Sequence, residues 1–159
     1  MHQTLIEALW WALYTVVGIW LQTLLPGIDC LAPGLIVCLQ ARRLTIAFWL
    51  AVLWILIQEG SGSLAFGASI LWYAGLVIFF YGLSLFLTVK SAFFGLFLSL
   101  FAGLWHFSII FLLANLQELS INFNELLVQS LQTIIVFPVL WGIVSLIYHL
   151  RIAPGHVTA

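Results

Sequence analysis

Charge is what this chain has least of: four Lys or Arg and five Asp or Glu stand among 159 residues, 6% in all. An ordinary soluble domain carries about 25%. With 65% hydrophobic residues and a mean hydropathy of +1.24, too little polar surface is left to keep the fold in water. The composition predicts an integral membrane protein with lipid as its solvent. No run of like charge occurs and the net charge is -1, which excludes a nucleic-acid footprint. Cysteine is also scarce. Cys30 and Cys38 stand eight apart with no CxxC and no Cys/His cluster, so neither a disulfide framework nor a metal site is expected. No nucleophile with a neighbouring base, paired intramembrane carboxylates or phosphate loop is found, so we expect neither an enzyme nor a cofactor. A chain of buried acids such as a proton pump needs is missing too. A chain of 159 residues has little room for the paired repeats of a secondary transporter.

What the sequence does have is long apolar runs. Read for spans of about 20 apolar residues, it divides into six, at about 4–25, 28–41, 44–58, 64–89, 91–115 and 126–150. The expected fold is therefore all-α, a single compact bundle of six transmembrane helices with both termini cytoplasmic. The first span is closed by Pro26-Gly27 and is longer than a signal-peptide core, so it is read as a permanent helix. The second and third are short, about 21 to 23 Å at 1.5 Å per residue. "EGSGS", Glu59 to Ser63, is a turn signal, and Pro138 is expected to kink or loosen the sixth helix.

Few as they are, the charges sort by side. With six spans and an internal amino terminus, Arg42, Arg43, Lys90 and Arg151 all fall on cytoplasmic connections. Asp29, Glu59, Glu118 and Glu125 then fall outside. A five-span alternative runs one helix from about Leu31 to Gln58, keeps Lys90 and Arg151 inside if the amino terminus is outside, and buries both arginines. Each arginine would then cost about 2.5–3.5 kcal/mol on insertion scales. A hairpin at Arg42-Arg43 avoids that cost, although "QARR" offers no Gly or Pro to make the turn.

Small residues mark the packing faces. Ala92, Gly95, Ser99 and Gly103 form a stripe on the fifth span, Ala68, Gly75 and Gly82 recur every seven residues on the fourth, and Ala8 and Ala12 stand one turn apart on the first. Polar groups gather toward the outer half. His106 lies in the fifth span, Asn115 ends it, Glu59 ends the third, and Gln129, Gln132 and Thr133 are read as one face of the sixth. These are candidate contacts to a ligand in a shallow outer cavity, to a partner helix, or to one another.

The order "LLPGIDCLAPGLIVCLQARRL", an apolar span, then "IQEGSGSLAFGASILWYAG" resembles the rod shape-determining protein family MreD of bacterial cell-wall elongation. The likeness covers about Pro26 to Gly75. The family's Pro-Asp-Leu start reads Pro33-Gly34-Leu35 here, and the acid before the turn is Glu59, with Gln58 at the expected place. The resemblance implies a non-catalytic inner-membrane scaffold that binds the single-span MreC and, through it, the wall-synthesising enzymes and the cytoplasmic MreB filament. In size, six-helix plan and the Ala8-to-Ala12 spacing the chain is also similar to the substrate-binding subunit of energy-coupling-factor vitamin transporters. In that reading the outer polar groups line the vitamin site. A third reading is an accessory subunit of another large membrane complex.

Overall fold

The computed structural model describes residues 2–60, 67–89, 91–118 and 122–152, and the side chains of all but 2–4, 151 and 152 among them. Six α-helices and no strand occur in these residues: α1 His2–Leu24, α2 Ala32–Gln40, α3 Leu44–Gly60, α4 Ala68–Ser84, α5 Ala92–Leu116 and α6 Phe123–Ile147. A π-helical turn, Tyr148–Ile152, continues α6. Three stretches are long and apolar enough to cross a membrane, Leu5–Leu24, Ala92–Leu116 and Phe123–Leu150. Large apolar side chains such as Trp20, Ile78, Leu85 and Phe86 stand 72–86% exposed on the outside. That surface suits a hydrocarbon surround and not water.

The helix that departs most from the sequence reading is α2. Its nine residues rise only about 13.5 Å, and from Ala32 to Leu39 every one is buried. Pro26-Gly27 stops α1, with Gly27 at φ 87, and residues 25–31 run without helix into the interior, where Ile28, Cys30 and Leu31 are at most 4% exposed. The expected single helix over 28–41 is thus a descending strand of irregular chain followed by a half-length helix. Such backbone is tolerated at membrane depth only when protein encloses it. Here α3, α4 and α6 surround α2.

The chain breaks between α2 and α3 without Gly or Pro. Arg42 takes the left-handed conformation at φ 55, the Arg43 N–H donates to Cys38 O, and the Arg42 N–H donates to Leu39 O, each at 3.0 Å. This is a Schellman turn with arginine in the place glycine usually holds. Residues 31–58 therefore form a hairpin and not one rod.

The other helices pack as the small residues direct. A Cβ on Gly95 would collide with the Trp141 indole, and one on Gly103 with Ile134, so α5 and α6 approach closely there, with Ser99 buried between. A Cβ on Gly75 would enter the Trp105 indole. Phe79 and Phe101 stack at 3.8 Å beside it. Ala68 is buried, while Ala92 is exposed. Gly82 departs from the expected stripe, since nothing lies within 4 Å of its added Cβ. A seven-residue spacing drifts about 20° per heptad on a straight helix, which carries Gly82 off the face that Ala68 begins. Helix α6 runs on through Pro138.

Gly103→Leu is expected to lower bundle stability by roughly 1–3 kcal/mol, the usual cost of overpacking, whereas Gly82→Leu should leave it unchanged or raise it by up to about 1 kcal/mol. Thermal unfolding of both variants in detergent checks the contrast.

Candidate functional site

Two polar networks hold α2 by its ends. The first centres on Asp29, in the connection from α1. Its Oδ1 accepts from the Leu31 N–H at 2.8 Å, the Ala32 N–H at 3.3 Å and Gln22 Nε2 at 3.0 Å. Its Oδ2 accepts from Trp72 Nε1 at 2.8 Å. The Tyr14 hydroxyl accepts from the Gly34 N–H at 3.0 Å and donates to Cys30 O at 2.7 Å. Pro33 has no N–H to satisfy. Every amide at the amino terminus of α2 thus has an acceptor or needs none, which is what burial of a helix end requires.

Around this carboxylate stand Trp72 and Tyr73 of α4, Gln58 of α3 and His106 of α5. Gln58 Nε2 donates to the Tyr73 hydroxyl at 3.2 Å, and the His106 ring lies edge-on to Trp72 at 5.7 Å. His106 Nδ1 is buried without a partner among the described residues.

The second network lies at the opposite end. Glu7 Oε1 accepts from the Tyr148 hydroxyl at 2.7 Å and pairs with Arg43 Nε at 3.7 Å. Gln40 donates through Nε2 to Val89 O at 3.2 Å and accepts through Oε1 from Trp141 Nε1 at 3.1 Å. The beginnings of α1 and α3 and the ends of α2, α6 and the segment after α4 therefore meet at one pole. Gln22, Asp29, Gln58 and Trp72 meet at the other.

The residues expected to converge in an outer cavity do not all do so. His106 reaches the Asp29 network through Trp72, and Gln129 packs against Gly27. Thr133 is buried, but its hydroxyl donates to Gln129 O of its own helix. Gln132 is exposed, as is Asn115, whose amide donates to Phe111 O. Glu59 accepts from the Gly67 N–H at 2.9 Å and so closes the connection to α4. Of the topology residues, Arg42 and Arg43 stand at the Glu7 pole. Lys90 and the Arg151 side chain lie outside the described residues.

Two acids that organise the interior, Asp29 and Glu7, were missed as site residues. The signal for Asp29 was present: an acceptor side chain just ahead of Ala32-Pro33 is the pattern of a helix start. For Glu7 the sequence carries no comparable signal, because its partners are 36 and 141 residues away.

Asp29 spends both oxygens on donors, both cysteines are buried and unpaired, and no group of three metal-ligating side chains occurs among the described residues. No protein-family model matches the sequence, and no curated protein or solved structure matches it.

Asp29→Ala should strand the Trp72 indole and the Leu31 and Ala32 amides at the start of α2, at about 1–3 kcal/mol for each buried donor. Asp29→Asn keeps one oxygen acceptor and is expected to restore part of that loss. Denaturation midpoints of the two variants against the parent test this ordering.

Proposed function

We propose that the chain is a non-catalytic scaffold of a bacterial inner membrane. In this reading it crosses six times with both termini in the cytoplasm and binds transmembrane helices of partner proteins. The observation that carries the reading is the internal use of the polar residues: Asp29, Gln58, Gln40 and Glu7 are bound to groups of the bundle itself. Polar groups held this way fix helices against one another and are not free for a substrate. Topology follows from charge. Arg42 and Arg43 sit together at the pole opposite Asp29 and Glu59, and basic residues are retained on the cytoplasmic side.

Two glycines support the partner-binding half of the proposal. Gly82 and Gly142 have open space where a Cβ would be, unlike Gly75, Gly95 and Gly103. A helix-interior glycine costs roughly 0.5–1 kcal/mol relative to alanine, and these two give the bundle no close approach in return. They would admit the backbone of a neighbouring helix. The partner class is taken from the sequence likeness to MreD: a single-span protein of the MreC kind, in the assembly that elongates the cell wall.

The vitamin-carrier reading keeps one specific observation in its favour. Ala8 and Ala12 are exposed on α1, where a small-residue face can meet another subunit.

Co-expression with the MreC-type protein of the same organism, followed by size-exclusion chromatography in mild detergent, separates the two. A scaffold retains that partner, and Gly82→Leu combined with Gly142→Leu loses it while the bundle stays folded. A chain that elutes alone carrying a tightly bound vitamin would overturn the proposal.

A further inference from the structure

Helices α1 and α3 run side by side but do not close on each other, and a groove of about 640 Å³ lies between them. Its floor is Trp11 and Leu50, both buried, and its walls are Ala8, Ala12, Trp49 and Leu53. Trp49 is 65% exposed. The two alanines are the smallest side chains of its lining. At one end Thr15 accepts from Trp54 Nε1 at 2.9 Å and ties the helices together. At the other end stand Glu7 and Thr45, directly beneath the turn that carries the arginine pair.

The charge at that mouth is unequal. Glu7 is 8% exposed and is folded inward onto the Tyr148 hydroxyl and Arg43. The Arg43 side chain remains 47% exposed. Arg42 is exposed and makes no ion pair among the described residues. Arg43 thus stands at the mouth beside the engaged Glu7 carboxylate, and Arg42 precedes it in the same turn, so the turn carries one more positive charge than Glu7 neutralises. An apolar helix laid in the groove would fill the recess but bring no anion to the mouth. A phospholipid brings both, and guanidinium groups suit phosphate oxygens in geometry as well as charge.

We propose that the α1–α3 groove is a binding site for one anionic phospholipid. One acyl chain lies along Ala8, Ala12 and Leu53, and the headgroup phosphate is held by Arg42 and Arg43. The site belongs to the leaflet in contact with the Glu7 pole, where basic pockets between helices select acidic headgroups. It requires that the chain lie in a bilayer and is independent of the partner proposed above.

Quenching of tryptophan fluorescence by brominated lipid tests the proposal on the full chain. The protein is reconstituted in phosphatidylcholine vesicles containing phosphatidylglycerol, with bromine on the acyl chains of either one lipid or the other. The signal that a Trp49→Phe variant loses reports the groove. Brominated phosphatidylglycerol is expected to quench that component in preference to brominated phosphatidylcholine. Arg42→Gln, which breaks no ion pair among the described residues, should cut the preference about fivefold, and Arg42→Gln with Arg43→Gln should abolish it. Ala12→Leu should reduce quenching by both lipids while the helical circular dichroism is unchanged. Equal quenching by the two lipids in the parent protein would overturn the proposal. So would a preference that survives the double substitution, or a Trp49 shielded from both lipids by a second protein helix.

Discussion

A nine-residue helix buried over all but its last residue can exist only if both of its termini find hydrogen-bond partners inside the protein. This is the constraint on which the bundle depends. An amide or carbonyl left bare in a low-dielectric interior costs several kcal/mol on transfer scales, and α2 presents such groups at each end. Asp29 and Tyr14 satisfy the first end, and the Schellman turn at Arg42 satisfies the second. The same groups reach outward. Asp29 binds Gln22 of α1 and Trp72 of α4, and the Tyr14 hydroxyl joins α1 to α2. Satisfying α2 therefore positions its neighbours.

Two modes of attachment divide the bundle. Helices α4, α5 and α6 are joined by close approach, with glycines receiving Trp105, Trp141 and Ile134. Helix α1 approaches closely at its Gly18, which receives Leu31, and is otherwise joined by side-chain hydrogen bonds through Glu7, Tyr14, Thr15 and Gln22. In lipid, where apolar contact alone gives helices little reason to associate, both modes are needed. Toward α3 the hydrogen bond from Trp54 to Thr15 ties α1 at one point, and the two helices stand apart beyond it. That stand-off is the groove between α1 and α3.

Much of this was legible in the sequence. Apolar segments bounded by charge located the helices, the arginine pair located a break that no Gly or Pro announced, and small-residue spacing located the faces at Gly75, Gly95, Ser99 and Gly103. The length of α2 was not legible, because "IDCLAPGLIVCLQ" is equally apolar whether it forms a helix or descends as irregular chain; only Asp29 and Pro33 mark where the helix starts. The face of α6 that carries Gln129, Gln132 and Thr133 is turned inward only in part. Thr133 is buried and Gln132, about 100° round the helix from it, is exposed. Glu7 was invisible because its bonds join the two ends of the chain.

The proposed scaffold and lipid-binding roles both use the outside of the bundle. The central claim, that α2 is a buried half-helix capped by Asp29, is tested most directly by amide hydrogen exchange of the protein in lipid bilayers. The account predicts that the Leu31 and Ala32 amides exchange among the slowest in the chain, far behind Gly27, which lies exposed in the same connection. Exchange at Leu31 and Ala32 as fast as at Gly27 would contradict it.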